Sequence, residues 1–220
     1  AHPDDEILGC GGTIKSLSEK GIDITLLVVT GPGEDKHPIW PKEVWEIIRK
    51  ESKQAANKIG IKKVIHANLP AVSIPDIEVF KLNQHINSIV QEIRANIIFM
   101  PWMGDMHKDH ESICYSLAVG LRPHLQENKE LKLILSYEVL SETDLAIKHP
   151  GHRPFEPNLY FDITKYIEIK LDAMKCYQSQ LPEYSTPRSI EAIRALAKLR
   201  GVHIGKEFAE AFYIMYSLAS

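Results

Sequence analysis

Residues 96–110 of the chain, NIIFMPWMGDMHKDH, decide the fold, because an apolar run passes through a short loop into the start of a helix. Asn96–Met100 is rich in large and β-branched side chains, which is typical of a strand buried on both faces. We predict a loop over Pro101–Lys108 and a helix from Asp109 to about Leu125. A buried strand followed at once by a helix is the repeating unit of an α/β protein with a parallel sheet.

The same alternation runs along the chain on both sides of this stretch. We predict helices over Ile7–Lys20, Pro41–Ile59, Asp76–Arg94 and residues 163–177 and 189–200, strands over Ile22–Val29, Lys63–His66 and Leu131–Val139, and a loop over residues 148–159. Gly21 and Gly60 follow two of these helices, where glycine commonly ends a helix. This order predicts an α/β fold, a Rossmann-like three-layer sandwich with a mostly parallel sheet and a C-terminal elaboration.

The length of 220 residues suits a single domain. We expect residues 1–140 to form the Rossmann-like core and residues 141–220 to form the elaboration. A strand should precede the first predicted helix in such a fold. We therefore expect the first strand to lie before Ala1, outside this sequence.

Composition argues against two classes of function. A net charge of −3 is unlike the basic surface of a nucleic-acid-binding protein. No apolar run reaches the roughly 18 residues of a membrane-spanning helix, so we expect no membrane span.

Cys10, Cys114 and Cys176 form no C-x-x-C pair, and we interpret them as reduced structural thiols of a cytoplasmic protein.

The chain begins with AHPDDE, which places His2, Asp4 and Asp5 at the start of the first predicted helix. The helix dipole favours the carboxylate form of acids at this position. A metal-dependent hydrolase needs imidazole and carboxylate ligands and a separate base for water, and neighbouring acids in a tight turn can divide these roles. Alternatively, the two acids only cap the helix. The nearby GCGG is not a G-x-G-x-x-G motif and gives little support for a dinucleotide site.

A second polar cluster, DMHKDHE at residues 105–111, follows the strand of the opening stretch. Ligands bind outside the carboxyl ends of strands in such a sheet, so both clusters are expected at one edge. Catalytic zinc takes three protein ligands and leaves a position for water, and His2, Asp5 and His110 would supply the three. The alternative interpretation of this cluster is a polar surface loop.

Other side chains near the second cluster are candidates for catalysis and binding. His107 would be free to donate a hydrogen bond to an oxyanion, and Asp109 could fix the tautomer of an imidazole. Trp102 lies beside the cluster and could stack on a sugar ring, and Asp105 is a further candidate for substrate contact.

These motifs carry a resemblance to a known family. AHPDDE with a downstream HKDHE resembles the PIG-L/LmbE-like zinc-dependent N-deacetylases. Supporting similarities continue along most of the chain: the helix from Arg49 to Gly60, FEPNLYFDIT at residues 155–164, YQSQ at residues 177–180, and AEAF at residues 209–212. The segment ANLPAVSIPD, at residues 67–76, departs from the family's usual form.

The resemblance implies an enzyme that removes the N-acetyl group from an N-acetylglucosamine-type sugar or glycoconjugate, giving acetate and a free amine. It implies Zn²⁺ bound by His2, Asp5 and His110, with Asp4 as general base. It also implies that His107 stabilises the oxyanion, that Asp109 tunes His107 and that Arg49 binds substrate. The expected partner is a small amino-sugar substrate, with self-association into a homo-oligomer possible.

Two other functions are compatible with these residues. Two histidines and a carboxylate also form the facial triad of non-haem iron enzymes, although those usually sit on a β-barrel. A non-catalytic sugar-binding module could retain the pocket, but binding alone would not need Asp4. Metal analysis would test the first alternative, and acetate release would test the second.

Overall fold

The computed structural model describes residues 1–33, 37, 39–147, 152–181 and 186–219, so residues 148–151 of the predicted loop lie outside it. The helices are α1 (Asp5–Glu19), α2 (Lys42–Ile59), α3 (Val79–Ile93), α4 (Lys108–Gly120), α5 (Ile167–Met174) and α6 (Ile190–Val202). The strands are β1 (Thr25–Gly31), β2 (Lys63–Pro70), β3 (Ile97–Pro101), β4 (Leu133–Tyr137), β5 (Leu159–Asp162) and β6 (Ala209–Ser217). None of the described helices combines the length and apolar character that crossing a bilayer requires.

The strands form two sheets, and the α/β class predicted from the sequence is correct. β1 and β2 pair in parallel. The second sheet has the order β3-β4-β6-β5, in which β3 and β4 are parallel but β6 runs antiparallel to both β4 and β5. The prediction of a mostly parallel sheet is therefore only partly met, because β5 and β6, which the sequence analysis did not predict, make the second sheet mixed.

Most predicted elements are present with shifted ends. Gly60 ends α2 in the left-handed conformation, at φ 87°. α3 begins at Val79 after Glu78, so Asp76 does not cap it and lies in a short 3₁₀ helix instead. α4 ends at Gly120, earlier than the predicted Leu125.

The ends of β1 and β3 bring the two polar clusters to the same edge of the molecule. The backbone N–H and the hydroxyl of Thr30, near the end of β1, both donate to the Ala1 carbonyl at 3.2 Å. This contact fixes the first residues of the chain beside β1. β3 ends at Pro101, and the loop that follows carries the second cluster into α4.

An apolar cleft of about 580 Å³ separates the facing edges of β1 and β3. Leu27 and Ile98 line it from the strands, and Ile14 and Leu117 line it from the helices on either side. Within the described ranges, neither facing edge is paired with another strand.

The region after residue 140 shares the main core with the region before it. Tyr177 and Phe212 are fully buried in one cluster with Ile7 and Leu135. β6 lies between β4 and β5, so residues 209–217 are an interior strand of the larger sheet.

Candidate active site

The three residues predicted to bind metal meet at one point. The Nδ1 atom of His2 lies 3.1 Å from Nε2 of His110 and 3.5 Å from Oδ2 of Asp5. The third edge of the triangle, from His110 Nε2 to Asp5 Oδ2, is 3.2 Å. Tetrahedral ligands at the usual zinc distances of about 2.0–2.1 Å lie about 3.3–3.4 Å apart. The triangle therefore has the dimensions of one face of a tetrahedral zinc site.

Carboxylates behind the two imidazoles fix the direction of their lone pairs. His2 Nε2 lies 3.0 Å from Oδ2 of Asp109, and His110 Nδ1 lies 2.7 Å from Oδ2 of Asp105. Each carboxylate accepts a hydrogen bond from the ring N–H, so in the neutral imidazole the unprotonated nitrogen faces the centre of the triangle with Asp5. Two lone pairs and a carboxylate that converge in this way favour a cation at the centre.

This arrangement differs from two sequence expectations. Asp109 was expected to tune His107, but its carboxylate contacts His2 and accepts hydrogen bonds from the backbone of Val72 (2.7 Å) and Ile74 (3.2 Å). Asp105 was expected to contact substrate, but it is buried and its second oxygen accepts a hydrogen bond from the Thr143 hydroxyl. Both oxygens of Asp105 are hydrogen-bonded, one to His110 and the other to Thr143. Asp105 therefore orients His110.

The pKa shifts of the metal-free triangle also favour a cation at its centre. Burial lowers the pKa of His110, but the charge of Asp5 and the hydrogen bonds that His110 donates to Asp105 and Asp5 outweigh it and raise this pKa to about 9. Burial raises the pKa of Asp5, but the positive charge of His110 and hydrogen bonds from His110 and His2 hold it well below its usual range. The triangle therefore attracts positive charge, which a proton supplies when no metal is bound.

His107 stands at the edge of the triangle as a neutral hydrogen-bond donor. It caps α4, where its Nδ1 accepts a hydrogen bond from the backbone N–H of Asp109 at 3.2 Å. Burial and the neighbouring His2 lower the pKa of His107 to about 4, so its single ring proton lies on Nε2 at neutral pH. The ring centre is 4.4 Å from that of His2. His107 can also join His2 and Asp109 in a second possible metal-binding set.

Asp4 presents a buried carboxylate that no hydrogen bond occupies. Its backbone is left-handed, at φ 105°, and both side-chain oxygens lack a hydrogen-bond partner among the described residues. One carboxylate oxygen of Glu6 accepts a hydrogen bond from the Asp4 backbone N–H at 3.1 Å. The other accepts a hydrogen bond from the Tyr177 hydroxyl at 2.7 Å. Burial raises the pKa of Asp4 to about 7 against the opposing charge of Arg188.

Several residues that contact the site have no role assigned to them from the sequence. Tyr177 lies in the YQSQ motif, and Glu6 lies in AHPDDE, so both stood within recognised motifs without an assigned role. Thr143 and Arg188 lie in unremarkable sequence, and only the folded chain brings them to Asp105 and Asp4.

The two other predicted substrate contacts lie in different surroundings. Arg49 is half-buried and donates a hydrogen bond to the Asn68 side chain at 2.5 Å, near the end of β2. Trp102 is only 5% exposed. Its ring packs against Phe155 and Tyr213, so it does not offer the open face that stacking on a sugar requires.

The chain is similar to one protein family and to several known proteins. The family model described as "PIG-L: GlcNAc-PI de-N-acetylase" matches residues 1–120. Diacetylchitobiose deacetylase from Thermococcus kodakarensis is 26% identical over 232 aligned residues, covering 95% of this chain and 78% of that protein. Probable N-acetyl-alpha-D-glucosaminyl L-malate deacetylase 2 from Bacillus cereus is 27% identical over 186, covering 81% of this chain and 80% of that protein.

A solved structure shares the fold over nearly the whole chain. N,N'-diacetylchitobiose deacetylase from Pyrococcus horikoshii, in complex with an inhibitor, superposes with a TM-score of 0.75 at 26% identity. The match covers 97% of this chain and 80% of that one. The similarity therefore includes the C-terminal region that follows the family match.

Proposed function

Because the chain belongs to the PIG-L family of GlcNAc-PI de-N-acetylases, we propose that it is a zinc-dependent hydrolase that removes the N-acetyl group from an N-acetylglucosamine-type sugar. The observation that carries the proposal is the Asp4 carboxylate, which is buried beside the His2–Asp5–His110 triangle with both oxygens free of hydrogen bonds. A structural carboxylate in such a position would be expected to be paired, whereas a general base must keep a lone pair available.

The donor set of the triangle suits zinc. His2, Asp5 and His110 offer two imidazoles and a carboxylate, which is a common catalytic ligand set for this metal, and their spacing fits tetrahedral coordination. When bound, zinc lowers the pKa of a coordinated water towards about 7 and polarises a carbonyl. Asp105 and Asp109 would hold the two imidazoles in the required tautomers.

Asp4 and His107 would carry the proton and charge changes of the reaction. Asp4, whose buried carboxylate keeps both oxygens free of hydrogen bonds among the described residues, would accept a proton from the attacking water. The Nε2–H of His107 donates to the amide oxygen as negative charge develops on it. Asp4 then returns its proton to the leaving nitrogen as the C–N bond breaks, which gives acetate and a free amine.

The named relatives support an amino-sugar substrate, since their names refer to diacetylchitobiose and to N-acetylglucosaminyl malate. Arg49 of α2, which donates a hydrogen bond to Asn68 near the end of β2, is our candidate for contact with that sugar. A cytoplasmic location and self-association stay predictions.

The test is an acetate-release assay with the purified protein. Free GlcNAc, chitobiose-type, inositol-linked, malate-linked and nucleotide-linked substrates would be assayed with measured zinc content. We expect the Asp4→Asn variant to keep its zinc and to lose roughly 100-fold or more in turnover, the scale of acid–base catalysis. Asp172→Asn, on the exposed face of α5, is the matched control and should keep full activity.

Each alternative function has its own outcome. Iron in protein purified without added metal, with oxygen-dependent turnover, would replace the hydrolase by a facial-triad enzyme. Sugar binding without acetate release from any substrate would indicate a binding module. Full activity in Asp4→Asn would remove Asp4 as the base.

A further inference from the structure

We propose that Arg188 is a positioning residue for the deacetylation, whose guanidinium holds the Asp4 carboxylate towards the metal triangle. This inference rests on the proposed function, because it gives Arg188 a role through the proposed base. It adds a residue from outside the part of the chain that the family model matches, which ends at residue 120.

The first ground is that the carboxylate of Asp4 needs a positive partner. Its side chain is 1% exposed, and neither oxygen has a hydrogen bond within the described ranges. A buried carboxylate without a compensating charge is costly. Nη1 of Arg188 lies 3.6 Å from Oδ2 of Asp4, and this is the one Lys or Arg ion pair that the described residues give Asp4.

The second ground is the length of this contact. On the same protein, Arg200 binds Glu138 through two hydrogen bonds of 2.5 and 2.7 Å, and Arg194 binds Glu168 through two of 2.7 and 2.8 Å. Such paired bonds occupy both oxygens of the carboxylate. At 3.6 Å, Arg188 attracts Asp4 without occupying its lone pairs, so the oxygens remain free to accept a proton from water.

The third ground is that Arg188 is itself held in place. Its Nε donates to the Ser141 hydroxyl at 3.3 Å, and its Nη2 lies 3.8 Å from Oε1 of Glu142. The side chain is 28% exposed, and its Nη1 faces Asp4. The loop after β4 thus fixes an arginine that precedes the N-cap of α6, and the two segments together aim it at the base.

The experiment compares Arg188→Ala and Arg188→Lys with Arg194→Ala, which removes an arginine from the surface of α6. We expect Arg188→Ala to lower kcat roughly 10-fold to 100-fold with KM changed less than about twofold and zinc content unchanged, because the variant loses the orientation of the base and not a substrate contact. Added guanidinium should restore part of kcat, and Arg188→Lys should keep part of it because it keeps the charge but not the fork. Arg194→Ala should behave as the wild type.

Crystal structures of the wild type and Arg188→Ala give a readout that does not depend on activity. We expect the Asp4 carboxylate to turn away from His2 in the variant. An unchanged Asp4 orientation with unchanged kcat would overturn the inference, and a rise in KM alone would make Arg188 a substrate contact instead. A wild type that releases acetate from no substrate would contradict the proposed function, and the two structures would still decide the role of Arg188.

Discussion

Asp4 combines two unfavourable features at one residue. Its backbone is left-handed at φ 105°, which costs a non-glycine residue about 1–3 kcal/mol, and its carboxyl group is buried. Glu6 and Tyr177 hold this conformation through the Asp4 backbone N–H. Stability is thus lost at the point where a reactive carboxylate is needed.

Metal-free protein should show this cost as a pH dependence of stability. Burial raises the pKa of Asp4 from 3.8 to about 7, so the stability contributed by its protonated form is full below pH 3.8 and is lost as the pH rises through 7. We expect the wild type to lose more unfolding free energy between pH 5 and pH 8 than Asp4→Asn, measured by urea unfolding with a chelator. Glu6, whose pKa is also raised to about 7 by burial, is present in both proteins.

Asp162 is a control of opposite sign. Hydrogen bonds from Thr164 lower its pKa, so its contribution is present above its ordinary pKa and is lost as the pH falls through the lowered value. Asp162→Asn should therefore not reduce the loss between pH 5 and pH 8. Parallel curves for the wild type and Asp4→Asn would contradict the assignment of a raised pKa to Asp4.

The sequence predicts which residues form the site better than it predicts the hydrogen-bond partners of those residues. His2 and Asp5 are neighbours in one motif, and His107 and His110 are neighbours in another, so local sequence brings each pair to an element end. The partner of each imidazole depends on side-chain directions that only packing fixes. The carboxylate of Asp109 consequently bonds to His2, while the backbone N–H of Asp109 donates to His107.

Helix α1 is bent at Cys10, whose φ and ψ of −144° and 17° are not helical. The bend frees the backbone N–H groups of Gly12 and Thr13, and the carboxylate of Glu210 accepts both at 2.9 and 2.7 Å. The second half of α1 therefore begins at a buried acid from β6, and the glycines before it let the helix approach the sheet.

Two glycines of α1 should respond differently to a methyl group. A Cβ at Gly9 would overlap the ring of Tyr137, whereas one at Gly11 would lie 3.4 Å from Cγ of Lys170, which is an ordinary contact. We expect Gly9→Ala to lose about 1–3 kcal/mol of unfolding free energy through overpacking. Gly11→Ala, the matched control, should be neutral or gain up to about 1 kcal/mol from helix propensity. Equal effects in chemical denaturation would contradict the close packing at Gly9.

β6 shows why the sheet was only partly predicted. Its sequence, AEAFYIMYS, mixes helix formers with strand formers and gives no period that separates the two. Its stability as a strand comes from lying between β4 and β5, which are distant in sequence. β1 and β3 are short runs rich in apolar and β-branched residues, so local sequence was sufficient to predict them.

Across the whole molecule, one buried ion pair connects the first helix to the last strand. Lys170 of α5 donates to Glu210 of β6 at 2.6 Å and to the carbonyl of Leu8 in α1 at 2.8 Å. Lys170→Met leaves Glu210 as an unpaired buried charge, so we expect a loss of about 3–5 kcal/mol in urea unfolding. Lys175→Met removes an exposed pair with Asp172 from the same region and should change stability little. A small effect of Lys170→Met would show that the backbone N–H groups alone suffice for Glu210.

The interior position of β6 also sets an order of events during biosynthesis. β4 and β5 leave the ribosome before residues 209–217 exist, yet neither pairs with the other and both pair with β6. Tyr177, which hydrogen-bonds Glu6, and Arg188, which faces Asp4, are also translated after the whole ligand triangle. The nascent chain therefore carries its metal ligands long before it can close the sheet beneath them, and closure by such distant contacts is slow.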